Sequence, residues 1–366
     1  MLFRNYHLVL LLVMGIVFYN CHEDKPLDHD DLTQITYDPK EYVVQIPYGL
    51  QELPKILDNP MTYAGVQLGR HLFYDPILSS DSTLSCSSCH NPRLAFTDGQ
   101  AFSKGVNGQI GTRSSMSLLN IAYFTKGLFW DGRSKTLETQ ALEPVKNPIE
   151  LHEEWPNVIH KFKRHPDYPR MFREAFGISS KTEITQELAA KAIAQFERIL
   201  LTGGNSLYAK QLRGEIFFDL DQQQGMDMFF NSDPSLPDAQ CGHCHSAPTF
   251  SANDYFNNGL DTVNNLADFK DKGRGAVTGI LLDNGRFKAP TLFNIELSAP
   301  YMHDGRFKTL DEVMDHYTGQ VKRVANIDPN VANLRINTRQ RKQVMAFIKT
   351  LVDTTYLQNP DVLSPF

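Results

Sequence analysis

Two short stretches carry the residues best suited to chemistry: Cys86-Ser87-Ser88-Cys89-His90 and Cys241-Gly242-His243-Cys244-His245. Both read C-x-x-C-H, the attachment pattern of c-type haem. The chemistry needs that spacing. Two thiols three residues apart add across the haem vinyl groups as thioethers, and the adjacent imidazole turns back to bind the iron. The chain has five cysteines, and these motifs use four of them. A zinc site needs four ligands and does not demand a His after each pair. Two disulfides are the other alternative, plausible in a periplasm. The pattern therefore predicts two covalently bound haem c groups, attached at Cys86, Cys89, Cys241 and Cys244, with His90 and His245 as proximal iron ligands.

The elements that must position these motifs come in two sets. Ser117-Leu118-Leu119-Asn120-Ile121 recurs as Thr291-Leu292-Phe293-Asn294-Ile295, and Asp131-Gly132-Arg133-Ser134-Lys135-Thr136-Leu137-Glu138 recurs as Asp304-Gly305-Arg306-Phe307-Lys308-Thr309-Leu310-Asp311. Echoes at a near-constant shift predict an internal duplication of one haem-binding unit. Residues 184–201 read as an amphipathic helix with Leu188, Ala192, Ile193, Phe196 and Leu200 on one face, stopped by Gly203-Gly204. The boundary between units falls there, giving domains 46–203 and 204–366. A last helix is expected over 338–352, with Val344, Phe347, Ile348 and Leu351 inward. Strand signals are few. The expected fold is mainly α, two cytochrome c-like haem domains with long loops.

A chain of 366 residues suits two domains or one large one. Its ordinary balance of apolar and charged residues excludes wholesale disorder, collagen and coiled coil. A net charge of −6 leaves no electrostatic footprint for nucleic acid. At the N-terminus, Arg4 precedes a nearly continuous apolar run over 8–18 that is shorter than the roughly 20 residues of a spanning helix. Cys21 follows, then a charged run. Residues 1–20 read as a lipoprotein-type signal, with Cys21 lipidated and 21–45 as a tether, although Phe18-Tyr19-Asn20 fits the lipobox poorly. The expected location is the periplasm, with the membrane touched only through the lipid anchor.

The two halves differ where reactivity would be decided. Thr309-Leu310-Asp311-Glu312 is a capping box that starts a helix. Leu310, Val313, Met314 and Tyr317 follow on one face. The repeat maps Tyr317 onto Pro144. A phenol can bind iron and a proline cannot. The second haem is then closed by a sixth ligand and the first left open to peroxide. Met302 and Met314 compete with Tyr317 for that place, and a packed core tyrosine is the plain alternative. His303 maps onto Trp130 and is expected near the second haem. His316 points about 100° away from Tyr317 on the same helix.

Further motifs cover most of the chain from about residue 68 to 351: Leu68-Gly69-Arg70-His71-Leu72-Phe73-Tyr74-Asp75, Ala95-Phe96-Thr97-Asp98-Gly99, Phe129-Trp130-Asp131-Gly132-Arg133 and Ala299-Pro300-Tyr301-Met302-His303-Asp304-Gly305-Arg306-Phe307. With the haem motifs, the chain resembles the bacterial di-haem cytochrome c peroxidase/MauG family. The resemblance implies that Trp130 relays electrons between the haems. It implies that Gln140 and Glu150 lie over the first haem, the amide orienting peroxide and the carboxylate moving its proton. It also implies hydrogen peroxide as substrate and a small c-type cytochrome or similar periplasmic donor as partner. The family is often dimeric, though no exposed apolar stripe argues a homodimer here.

Three departures from the family pattern stand out. No His lies between His90 and His152, so the loop Ser103-Lys104-Gly105-Val106-Asn107-Gly108 offers no strong distal ligand. Tyr317 stands where the electron-transfer haem usually takes Met, as in the MauG branch. The family's interdomain Ca2+ would fall at Ser114, Ser298 and Pro300, where the side-chain Asn ligand is missing. The expected activity is a di-haem c peroxidase reducing hydrogen peroxide to water. The alternatives are a MauG-like oxidase modifying a protein substrate and a non-enzymatic di-haem electron carrier.

Overall fold

The computed structural model describes residues 30–366, so the expected signal, Cys21 and the first part of the tether lie outside the described residues. Helices of the first half are α1 (Tyr63–Tyr74), α2 (Cys86–Cys89), α3 (Leu137–Ala141), α4 (Glu143–Lys146), α5 (Trp155–Arg164), α6 (Tyr168–Phe176) and α7 (Gln186–Glu197). Those of the second are α8 (Leu207–Leu212), α9 (Leu220–Phe230), α10 (Gly275–Thr278), α11 (Leu310–Asp315), α12 (Pro329–Asn333) and α13 (Thr338–Lys349). Strands β1 (Tyr255–Phe256) and β2 (Phe287–Lys288) form one antiparallel pair, Tyr255 opposite Lys288. The mainly helical expectation holds. Among the described residues no helix is long and apolar enough to cross a membrane.

Each half is built on two helices that touch backbone to backbone. A Cβ on Gly69 of α1 would lie 1.8 Å from the Ala192 carbonyl oxygen of α7. One on Gly225 of α9 would lie 2.0 Å from the Gln343 carbonyl oxygen of α13. Only glycine permits either approach. Around the first pair lie Leu68, Leu72, Phe162, Phe172, Ala189 and Ile193. Around the second lie Phe229, Phe250, Val344, Phe347 and Leu351.

The boundaries differ from the sequence expectation for identifiable reasons. Helix α7 begins where Thr185 accepts from the Leu188 N–H at 3.3 Å, but it ends at Glu197, before Gly203-Gly204. Beyond it, backbone groups of Leu200 and Thr202 are taken by Asn120: its N–H donates to Leu200 O at 2.8 Å, and its Oδ1 accepts from the Thr202 N–H at 3.0 Å. Before that, the Ile199 and Leu200 N–H groups donate three residues back rather than four, to Phe196 O and Glu197 O, so the last turn tightens and the α-helix ends. Leu188 is half-buried, because inward packing turns toward Ala189, Ala192, Ile193 and Phe196. Helix α13 starts at Thr338 as expected, on an Asn337–Gln340 capping box, and stops at Lys349. Its four expected inward residues are buried.

Two segments do not behave as free or separate pieces. Residues 31–45, expected to act as a tether, lie along the first half. Leu32 is buried and donates its N–H to Ser179 O at 2.9 Å, and the Tyr42 N–H donates to Met61 O at 3.0 Å. The apolar side chains Leu32 and Ile35 drive this, since they join the first core. The C-terminal tail also crosses to the first half. Tyr356 donates to Pro92 O at 2.7 Å, Tyr74 to Val362 O at 2.7 Å, and Arg70 Nε to Leu363 O at 2.6 Å. Tyr356 and Val362 pack with Phe73, Phe96 and Phe196 in a core that Tyr42 and Val44 also join.

Candidate functional site

At the first motif, Ser85 and Ser88 form a capping box that starts the single turn α2. Cys86 and Cys89 are thereby set one turn apart on the same side. His90 closes the turn, its N–H donating to Cys86 O at 3.0 Å. Its Nδ1 lies 2.9 Å from Phe96 O, so Nδ1 carries the proton and Nε2 presents a lone pair. Burial lowers the pKa of His90 and keeps the ring neutral. The second motif repeats this arrangement. The His245 N–H donates to Cys241 O at 2.9 Å, and Nδ1 faces Pro290 O at 3.0 Å and Phe250 O at 3.2 Å. No disulfide joins the four cysteines, and burial pushes up all four thiols, Cys89 to about 11 and Cys241 and Cys244 to about 12. Among the described residues no cluster of His, Cys, Asp or Glu suits a bare metal ion. The donor set therefore fits haem c at both motifs: paired thiols beside a neutral, oriented imidazole.

The second motif opens on a deep cleft. Cys241, Cys244 and His245 form one side, with Tyr317, Met302 and Met314 also in its lining. Tyr317 reaches it because α11, capped by Thr309 and Glu312, runs into a π-turn over His316–Gln320. Leu310, Val313, Met314 and Tyr317 all line the cleft, as their spacing predicted. Burial pushes the Tyr317 phenol up to about 12. His316 turns away and donates from Nε2 to Asn258 O at 2.9 Å. His303 also lines the cleft, stacked on Phe287 with ring centroids 3.6 Å apart.

Trp130 lies in the lining of the same cleft, and its indole N–H donates to Ser114 O at 2.9 Å. The Ser114 N–H donates in turn to His303 O at 2.8 Å, which ties the first half's loop to the second half's. An ion-pair bank stands beside it. Arg113 binds Asp271 through two bonds of 2.7 Å and Asp131 through one of 2.6 Å. Burial works against ionisation of Asp271, but the Arg113 hydrogen bonds hold its carboxyl below the usual range.

Glu150 sits near the first motif, close enough for its charge to raise both Cys86 and Cys89. Burial raises its own pKa, while Asn147, donating to Oε1 at 2.7 Å, and Arg133 pull the other way. The expected ligand-poor loop lies on this segment. The Val106 N–H donates to Glu150 O at 2.9 Å, and a Cβ on Gly105 would fall 1.7 Å from Ile149 O. Gln140 is half-buried on α3, and no hydrogen bond joins it to Glu150 among the described residues. Sequence reasoning passed over Lys288 and Asn258. Lys288 is a buried ammonium pushed down to about 7 by burial, donating to Gly127 O at 2.5 Å. A lone lysine inside the run Phe287-Lys288-Ala289-Pro290 was its one visible signal. Asn258 carries no sequence signal at all.

Comparison with known proteins agrees with this geometry. The family described as di-haem cytochrome c peroxidase matches residues 63–216. Methylamine utilization protein MauG of Methylorubrum extorquens is 31% identical over 301 residues, 82% of either chain. Cytochrome c551 peroxidase of Nitrosomonas europaea is 34% identical over 293 residues, 78% of this chain and 79% of the other. Among solved structures, a MauG-like protein associated with microbial copper homeostasis superposes with a TM-score of 0.79 at 30% identity, over 88% of this chain and 99% of that one. With both haem-motif turns, their anchored histidines and these relatives in agreement, the chain belongs to the di-haem cytochrome c peroxidase family.

Proposed function

We propose that this protein reduces hydrogen peroxide to water, taking electrons from a small c-type cytochrome or a similar donor. Cys86 and Cys89 would hold one haem by thioethers and Cys241 and Cys244 the other, with His90 and His245 on the irons. Bound haem supplies the redox centre that accepts and donates single electrons. The remaining roles fall to this chain's side chains. Glu150, a carboxyl raised by burial, takes a proton from peroxide and returns it to the departing oxygen. Gln140 orients the peroxide. Trp130 relays electrons between the two sites. Each turnover consumes one peroxide, two electrons and two protons and releases two waters.

One observation carries the reading: the segments around the two motifs differ in the iron ligands they offer. Tyr317 and Met302 stand in the His245 cleft, while the loop over Glu150 offers no strong iron ligand. Tyr317 also favours a second reading, a MauG-like oxidase acting on a protein. The electron-carrier alternative would need both irons closed. Stopped-flow mixing of the ferric holo-protein with hydrogen peroxide separates the two enzymatic readings from the carrier, and steady turnover of peroxide with a reduced c-type cytochrome separates the peroxidase from the oxidase. A fast spectral change, lost in Glu150→Gln, is the expected result. In the parent, kcat/KM should rise with pH through an apparent pKa above that of an ordinary glutamate. The Gln variant should lose turnover by at least ~100-fold, as removal of a general acid–base does. Unchanged turnover would remove Glu150 from the mechanism.

We further infer that the halves arose by duplication, with domains 46–203 and 204–366. Support comes from matched local geometry. Asn120 and Asn294 both take left-handed φ values, 59° and 57°, before a short 3-10 turn. Bridges Leu128–Ser134 and Tyr301–Phe307 recur, as do the capping boxes at Thr136 and Thr309. The leader supports export to the periplasm with Cys21 as lipid anchor. A serine, Ser114, stands where the family's interdomain Ca2+ would take its side-chain ligand. The Ser114 hydroxyl donates to Met302 O at 2.9 Å, its N–H to His303 O, and its carbonyl accepts from Trp130, so it does not replace the missing side-chain ligand.

A further inference from the structure

The cleft beside His245 is lined by two side chains able to bind iron, the Met302 thioether and the Tyr317 phenol. Asn258 reaches both. Its amide nitrogen lies 3.3 Å from Met302 Sδ and 3.4 Å from Tyr317 Oη. Asn258 is itself held from behind. Its carbonyl accepts from Nε2 of the buried His316, and the next residue, Gly259, turns at φ +69° with Val321 and Lys322 close against it.

We infer that Asn258 is the positioning residue that selects Tyr317 over Met302 as the sixth ligand of the second haem. The inference rests on the two-haem reading above. Its physical basis is the difference between the two acceptors. A thioether sulfur is a weak acceptor, and its lone pairs are also its means of binding a metal. An amide N–H aimed at Met302 Sδ competes with iron for those electrons. A phenolate oxygen has lone pairs to spare, and a hydrogen bond to an anion is roughly twice as strong as one between neutral groups. The same amide therefore holds the sulfur back and favours the oxygen.

Met302 is restrained from its backbone as well. It sits in the left-handed region at φ 74°, unusual for a non-glycine residue. Its carbonyl accepts from Ser114 Oγ at 2.9 Å and from the Gly305 N–H at 3.2 Å. The sulfur cannot advance by a backbone shift without breaking these bonds. The choice has a redox consequence. Methionine ligation raises a haem potential, whereas an anionic oxygen stabilises the ferric state.

The test uses holo-protein carrying Asn258→Asp, which keeps the shape and removes the donor, and Asn258→Ala. The readouts are haem content, the ferric optical and electron paramagnetic resonance spectra, and the midpoint potential of the second haem. Loss of one charge-assisted hydrogen bond should shift the oxygen-to-sulfur ratio roughly ten-fold or more toward sulfur. The sulfur-to-iron near-infrared band should appear and the potential rise. Adding Met302→Leu to Asn258→Ala should remove the band and return oxygen ligation. If both Asn258 variants keep the parent spectrum and potential while Tyr317→Phe alters them, Asn258 does not select the ligand, though Tyr317 remains one. An unchanged spectrum in Tyr317→Phe overturns the ligand and the inference together. Absence of covalent haem at Cys241 and Cys244 in the parent protein overturns the underlying two-haem reading.

Discussion

Glu197 illustrates how much a single buried group can weigh. It lies on α7, 4% exposed, beside Arg198, whose guanidinium is already engaged by Glu138 at 2.5 Å. Glu197 Oε2 has no partner among the described residues, and burial pushes its pKa up to about 8, against the pull of Arg198. The native state therefore keeps a proton that the unfolded chain has released above about pH 4.5. This contribution to stability is complete below that value and is lost as pH rises toward 8. The slope is at most about 1.4 kcal/mol per pH unit. Glu197→Gln should leave stability near pH 4.5 little changed and flatten its decline toward pH 8. Denaturant midpoints at the two pH values measure it, and parallel declines in parent and variant would contradict the assignment.

At the scale of elements, the two close helix pairs set the frame on which both motifs hang. Helix α1 leads into the first motif, and α9 leads into the second, where the Gly242 N–H donates to Phe229 O at 3.0 Å. Adding one methyl at Gly69 must separate α1 from the Ala192 carbonyl, because backbone cannot yield as a flexible side chain can. Overpacking of this kind costs about 1–3 kcal/mol. Gly69→Ala should lower the urea midpoint accordingly. Gly319→Ala, whose added methyl meets nothing within 4 Å, serves as the comparison and should stay within about 0.5 kcal/mol of the parent. Equal midpoints for the two variants would mean that the α1–α7 contact carries little of the stability.

Across the whole molecule, the C-terminal tail couples the end of the chain to the first site. Tyr356 packs against Phe96 with centroids 6.1 Å apart, and the Phe96 carbonyl holds His90 Nδ1. Deleting residues 355–366 strips this support from the first half while sparing the lining of the second cleft. The first haem's spectrum should change before the second's. Tyr356→Phe, which loses only the bond to Pro92 O, should cost about 1 kcal/mol of stability and leave both spectra intact. A deletion that disturbed the second haem alone would refute this coupling.

Much of this was legible in the residue order, because the signals are local. C-x-x-C-H needs only five residues to declare its chemistry. The Thr309–Glu312 capping box and the spacing of Leu310, Val313, Met314 and Tyr317 follow from helical geometry, and the structure keeps them on one wall. What tertiary structure alone decided depends on partners distant in sequence. Past the end of α7 the chain is held by Asn120, which bonds Leu200 O and the Thr202 N–H from about 80 residues away in sequence. The apolar residues of 31–45 and 356–362 found cores formed by the first half, so the first segment is no free tether and the second leaves its own half. Asn258 stands 59 residues from Tyr317 and 44 from Met302. No periodicity links positions so far apart. Their meeting is a property of the folded cleft, whereas each haem motif is fixed by the spacing of five consecutive residues.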